Sequence, residues 1–386
     1  MNVITGRLAA VAGVEYGDAA MKKAENDGRM FWMRMLEAAK NDKSAPVLES
    51  EFSSEVKIPG LLDYADGALV SSFLTLAPDP SGMHKYALRV RTPASSPEMS
   101  WADGAPKGYE FRKGPIGELI ALFSLAFEAR LYHVATSSAS LGSGIRLKTE
   151  FWPIRGLAGP NIDPVVFCDT DRNFTNSLPP LLDELLQIPA RYHQRIITAA
   201  DHYGRALRYI GIEDEMVYVR LVSAIETVAY DHRISGDLFD GIRAEQVLKL
   251  DMLSEAQQEE LVRTFETRKA KARFVGFLVR HSGGFFDGEA REPVHTQVTP
   301  ETLPAIATAI YNARSGYLHS GEPMYISRGI PMFAGWHMDA SVGVRSGDRK
   351  YVAKQKLPYL VFAHRLVRHC LLAYIRNLVP SAAIAS

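Results

Sequence analysis

The sequence predicts an α+β protein: an N-terminal mixed α/β domain that contains strands, over residues 1–175, followed by an all-α helical bundle over residues 176–386. Three observations predict it. Short extended runs punctuated by turn residues dominate residues 47–93, which is the vocabulary of strands and hairpins. Beyond residue 175, apolar residues recur at three- and four-residue steps in segment after segment, as helices with one buried face require. The length, 386 residues, exceeds one ordinary domain and supplies apolar material for two cores.

Residues 17–41 form a polar, helix-prone segment. ALVSSFLTL (68–76) and KYALRVRT (85–92) then read as strands on either side of the turn PDPSG. After a polar loop at 94–109 comes GPIGELIALFSLAFEARLYHVAT (114–136), strongly apolar at helical spacing and expected to be a helix packed on a sheet. RLKTEFWPI (146–154) and DPVVFCDT (163–170) return to β composition. The helices of the second part are expected at 178–186, 191–209, 213–233, 254–280, 299–319 and 356–379. Helices of this kind bury their stripes against one another in a bundle. A glycine-rich loop, HSGGFFDGEAREPVHTQV, fills 281–298 directly before the helix at 299–319. It fits either part of a site or a surface excursion.

Composition narrows the function classes. With 47% hydrophobic and 23% charged residues, the chain is that of a globular protein. Its net charge is zero, so no global field draws it to nucleic acid or to an anionic membrane, and any such binding has to come from a local patch. Cys168 and Cys370 are the two cysteines. They lack metal-ligand spacing, which argues against a zinc site or a disulfide framework and fits a reducing compartment. The N-terminus has no signal-like apolar run, and no stretch reaches the roughly 18 apolar residues of a membrane span. The expected setting is cytoplasmic, without membrane contact.

The chemistry-bearing stretch is YNARSGYLHSGEP, residues 311–323. Thr299 is expected as helix N-cap with Pro300 at the first helical position. From there Leu303, Ile306, Ala307, Ile310 and Tyr317 mark one apolar face. Arg314, four residues after Ile310, points along that stripe. A guanidinium there needs a carboxylate, a partner chain or a bound anion, because an unpaired buried charge costs several kcal/mol. His319 follows five residues on, at the end of the helix. Gly316 weakens the last turn and Gly321 is placed to close it in a left-handed conformation. Carbonyl ends at a helix C-terminus favour an imidazolium, which suits a proton-transfer role near neutral pH. Spacing alone decides nothing, since 29 arginines and 11 histidines give about 0.8 such pairs by chance, so context has to carry the reading.

Glu226 is the first piece of context. It falls between Val222 and Ala229, at the border of the apolar face of its helix. There it is either a carboxylate partner for Arg314 or a solvated glutamate. Arg268, Lys269, Lys271 and Arg273 belong to a basic run that continues to Arg280, with Glu266 the acidic residue among them. They form either a local positive surface for RNA or a solvated helix face. Arg365 and His369 make a second Arg–His pair in the last helix, where the apolar surroundings point to core and snorkelling roles. No phosphate loop, dinucleotide-binding glycine pattern, HExxH or GxSxG is present. SLGSG at 140–144 lacks the lysine of a phosphate loop. His281, His295 and Asp287 could gather a metal, but nothing in the sequence fixes their geometry.

With those residues in view, the helices from about 213 to 379 resemble the HEPN domain (higher eukaryotes and prokaryotes nucleotide-binding), in particular the form found in bacterial abortive-infection and anti-phage proteins. AIETV around Glu226, the KARFVGFLV segment around Arg273, and YNARSGYLHSG carry the resemblance. The C-terminal half is covered, and the N-terminal half is similar, more distantly, to the β-containing domains that precede such modules. The resemblance implies a metal-independent endoribonuclease without cofactor. It would work as a homodimer with two Arg–His motifs facing across one cleft, in phage defence or a toxin system with an antitoxin or phage trigger. On that resemblance Arg314 binds the scissile phosphate and His319 is general base or acid. Ser315 stands where many members have Asn, Asp or His, and Asn312 and Tyr317 are possible helpers. Some HEPN domains have no nuclease activity and serve in dimerisation or nucleotide binding, so an inert binding or scaffold dimer is the alternative.

Overall fold

The structure is a computed structural model that describes residues 47–54, 62–64, 70–74, 84–91, 114–138, 147–148, 178–231, 269–286, 298–324, 345–346, 349–350, 357–358 and 360–380, with single positions at 30, 32, 33, 36, 254 and 326. It is mixed α+β and mostly helical.

In chain order the elements of the first part are β1 (Val47–Ser54), β2 (Leu62–Tyr64), β3 (Val70–Leu74), β4 (His84–Arg91), α1 (Gly114–Phe127), β5 (Leu131–Ser138) and β6 (Leu147–Lys148). The strands form one sheet in the order β2-β3-β4-β1-β5-β6, and every pairing is antiparallel. Between β1 and β5 the register shifts at Glu51/Phe52, a local irregularity of the kind that bends and twists a strand. The expected strands at 68–76 and 85–92 are present as β3 and β4. The PDPSG turn, DPVVFCDT and SLGSG lie outside the described residues.

One expectation needs correction: residues 114–136 are not a single helix. The helix stops at Phe127, Glu128 takes a positive φ of 54°, and β5 begins at Leu131. The apolar run is continuous in composition, but Leu131 to Thr136 carries aromatic and β-branched residues that fit a pleated surface. The helix does pack on the sheet. Phe123 of α1 meets Phe52 of β1 with ring centroids 6.4 Å apart, and Phe52 stacks on Tyr86 of β4 at 5.1 Å. From the N-terminal segment Trp32 joins the same core, its backbone N–H donating to the buried Glu118 carboxylate of α1.

The second part consists of α2 (Leu178–Gln187), α3 (His193–Tyr209), α4 (Asp214–Val228), α5 (residues 269–281), α6 (Leu303–Ser320) and α7 (Leu360–Leu378), with a short two-stranded ribbon, β7 (Arg345–Ser346) and β8 (Arg349–Lys350), before α7. Helix α4 is central, packing against α3, α6 and α7. Its Val217, Tyr218, Leu221, Val222, Ala224 and Ile225 are all buried, and the Tyr218 hydroxyl donates to the Pro358 carbonyl ahead of α7. Complete burial raises the Tyr218 phenol far above its ordinary range, so it stays a donor.

The hydrophobic core runs from the sheet into these helices without a break. Helix α1 packs on α3, and they approach closely at Gly204, where a Cβ would come within 3.1 Å of the Ser124 side chain. Two arginines cross this junction in opposite directions: Arg130 donates to the Ile210 carbonyl at 2.8 Å and Arg208 to the Leu131 carbonyl at 3.1 Å. A third link is polar. Glu128, buried at the end of α1, faces His364 at 3.4 Å, Arg365 at 3.4 Å and Arg368 at 3.9 Å, all from α7. Arg368 also donates to the terminal carbonyls Leu125 and Ala126 of α1, which have no partner within their own helix.

Candidate functional site

Helix α6 carries the motif. It begins at Leu303, later than the expected start at Thr299. Pro300 opens a turn instead, in which the Thr299 carbonyl accepts from the Thr302 and Leu303 N–H groups and the backbone N–H of Thr299 donates to the Thr302 hydroxyl at 2.8 Å. Thr302 is the residue before the helix, and Pro304 occupies the proline-tolerant first turn. At the other end the expectation is met. Gly321 takes φ 65° and ψ 21°, and the Glu322 N–H turns back to the Gly316 carbonyl at 3.2 Å. Helical structure continues through Gly316.

Leu303, Ala307, Ile310 and Tyr311 are the buried residues of α6, while Ile306 and Tyr317 are partly buried against the core. Arg314 therefore enters the helical packing from the edge of this stripe, with 19% of its side chain exposed. Its Nη2 donates to Oε2 of Glu226 on α4 at 3.0 Å. The other carboxylate oxygen, Oε1, accepts from the Tyr311 hydroxyl at 3.0 Å. Of the two readings of Glu226, the partner of Arg314 is the one found. A charge-assisted contact of this kind fixes the guanidinium's orientation more firmly than a neutral one. The Tyr311 ring also lies 6.0 Å from the guanidinium carbon and packs at 5.5 Å on Phe274 of α5. Burial, with the Glu226 charge second, pushes the Tyr311 phenol up to about 12, so Tyr311 keeps its proton and acts as a positioning donor.

His319 lies in the last turn of α6 and is exposed. Neighbouring Leu318 is 46% exposed. Tyr317 does not join Arg314; its hydroxyl donates to Glu213, just ahead of α4, at 3.3 Å. Partial withdrawal from water, then the Glu213 and Glu215 carboxylates, raise its phenol. Asn312 is exposed and Ser315 half-buried, and neither enters the cluster around Glu226.

Of the basic run, Arg268 lies outside the described residues, while Lys269, Lys271 and Arg273 are half-buried at the start of α5. Arg273 stacks against Tyr230, its guanidinium carbon 5.0 Å from the ring centroid. Arg195 of α3 approaches the same ring to 4.9 Å. The second Arg–His pair is split: Arg365 turns to Glu128, and His369 donates to the Gly283 carbonyl at 2.8 Å. His281, at the end of α5, meets Asn377 at 3.3 Å, and His295 and Asp287 lie outside the described residues. Among the described residues no group of three or more metal-ligating side chains converges, and no helix is long and apolar enough to cross a membrane.

No family model, curated protein or solved structure matches the chain. The end of α6 presents a tethered arginine, a tyrosine that keeps its proton, and an exposed histidine. Sequence reading did not single out Tyr311, Arg195 or Tyr230. Tyr311 stood three residues before Arg314, the spacing that puts two side chains on one helix face. Tyr230 stood four residues after Glu226, a similar signal.

Proposed function

We propose that this chain is an endoribonuclease of the HEPN type, cleaving RNA without a metal in a composite site between two copies. The observation that carries the reading is the Arg314 guanidinium, partly buried and tethered by Glu226, five residues ahead of an exposed histidine. A phosphate needs an oriented cation, and transfer between RNA oxygens needs a proton carrier. In the reaction the RNA's own 2′-hydroxyl attacks the adjacent phosphorus and the bond to the 5′-oxygen breaks, leaving a 2′,3′-cyclic phosphate and a 5′-hydroxyl. Arg314 offsets the charge that grows on the phosphoryl oxygens. One His319 takes the 2′-hydroxyl proton, and the His319 of the second copy donates one to the departing 5′-oxygen. Resemblance to anti-phage proteins supports a defence or toxin role, with the sheet-bearing part restraining the nuclease until a trigger or antitoxin partner changes.

The in-chain ion pair between Arg314 and Glu226 favours a second reading, an inert HEPN dimer that binds nucleotides or scaffolds a partner. Total RNA incubated with the purified full chain in EDTA separates the two. Cutting by wild type, with loss in both Arg314→Ala and His319→Ala, supports the nuclease. Equal silence of wild type and variants across candidate triggers leaves the binding module.

A further inference from the structure

The Glu226 carboxylate is divided between two donors from one helix. Oε2 accepts from Nη2 of Arg314 and Oε1 from the Tyr311 hydroxyl, each at 3.0 Å. Tyr311 and Arg314 stand three residues apart on α6, the spacing of neighbours on one helix face. A single carboxylate of α4 thus meets two groups that are fixed relative to each other.

An arginine and a carboxylate commonly pair through two parallel N–H···O bonds. Here the contact is single. Among the described residues Arg314 makes no hydrogen bond besides that from Nη2, and its Nε is buried without an acceptor. Tyr311 accounts for the missing second bond. Its side chain is buried and its ring packs on Phe274 of α5 at 5.5 Å, so the hydroxyl cannot follow the carboxylate if that turns towards Arg314. Packing that locks one side chain in this way fixes the orientation of its hydrogen-bond partner as well.

The chemical consequence lies in the donor count. A guanidinium has five N–H donors, and a two-pronged pair with Glu226 would turn a whole edge of it away from any other ligand. A single bond orients the cation and leaves the remaining donors uncommitted. We infer that Tyr311 is a positioning residue, which draws Oε1 of Glu226 aside so that Arg314 is steered but not captured and keeps donors for a phosphate. This rests on the phosphate-binding role given to Arg314 above. In Tyr311→Phe the freed Oε1 turns to the guanidinium, the pair becomes two-pronged and the cation is withdrawn from its ligand.

Thermal melts of the full chain against inorganic phosphate, with chloride at matched ionic strength as the control, test this by ligand-linked stabilisation. Arg314→Ala is expected to remove the stabilisation. Tyr311→Phe is expected to raise the phosphate concentration needed for it roughly tenfold, the scale of one hydrogen bond to a charged group, while melting without phosphate within a few degrees of wild type. In a Glu226→Gln background, which has no carboxylate to capture the arginine, adding Tyr311→Phe is expected to change phosphate binding less than twofold. If Tyr311→Phe binds phosphate as wild type does, or loses as much in the Glu226→Gln background, the inference is overturned. Stabilisation that is absent in wild type, or equal in Arg314→Ala, overturns it too. RNA cleavage followed in parallel keeps the two readings apart. Cutting that depends on Arg314 and His319 upholds the nuclease whatever Tyr311→Phe does, and the expected phosphate pattern in a chain that cuts no RNA upholds the role of Tyr311 and drops the nuclease.

Discussion

Arg314 and Glu226 define the site at the scale of single residues. Each was legible because each sits at the apolar border of its own helix, where a charge requires an opposite one. Their side chains retain 19% and 26% exposure, so the pair is partly screened and its coupling is modest. A double-mutant cycle on thermal stability with Arg314→Ala and Glu226→Ala is expected to return roughly 1 kcal/mol of coupling; additive effects would show that the contact does not form in solution. Glu226→Gln keeps a hydrogen-bonding shape and drops the charge. On the nuclease reading proposed above it is expected to slow RNA cleavage about tenfold, the consequence of exchanging a charge-assisted bond for a neutral one, as measured by single-turnover assays. The grouping of Tyr230 with Arg195 and Arg273 was not legible, since it joins three elements whose packing no local pattern announces. Tyr317 shows the opposite limit. Periodicity placed it on the stripe, but it is drawn aside by a carboxylate at the start of α4.

At the scale of elements, the motif helix was read better at its end than at its beginning. Gly321 was expected to close α6 and does so at φ 65°, with nothing within 4 Å of a Cβ added there. Gly321→Ala therefore meets only the backbone cost of a left-handed alanine, and a loss of roughly 1 kcal/mol is expected in denaturant unfolding. The start of α6 was placed too early because two prolines, Pro300 and Pro304, both fit a first helical turn and local pattern does not choose between them. The boundary between α1 and β5 was missed for another reason. Its decisive feature, the left-handed Glu128, is sustained by His364, Arg365 and Arg368 from a helix more than two hundred positions later in the chain. Arg368→Ala removes donors from two helix-terminal carbonyls and leaves the buried carboxylate less compensated. A loss of about 2–4 kcal/mol is expected by chemical denaturation, and an unchanged midpoint would refute this account of the junction.

For the whole molecule, the order of a strand-bearing part followed by a mostly helical part was legible from the change from short extended runs broken by turn residues to apolar residues at three- and four-residue steps. The single core that joins them was not, because contacts between α1 and α3 leave no periodic trace. Proton linkage is also a property of the whole fold. Burial holds the imidazoles of His133 and His369 below 6.5, so around that pH the unfolded chain binds protons that the folded protein does not. Stability is accordingly full above pH about 6.5 and falls as the pH drops below it. The melting temperature is expected to decrease from pH 7.5 to pH 5.5, and His369→Gln, which removes one of these imidazoles, should flatten that slope.

The crossed arginines at the junction have a mechanical side. Arg130 and Arg208 tie the start of β5 to the end of α3. Three residues beyond the Ile210 carbonyl that Arg130 holds stands Glu213, which grips Tyr317 on the motif helix. The strand, the corner between α3 and α4, and the helix bearing Arg314 are thus linked in series by hydrogen bonds. On the nuclease reading, a ligand that displaces the sheet would act through these contacts on the helix that bears Arg314.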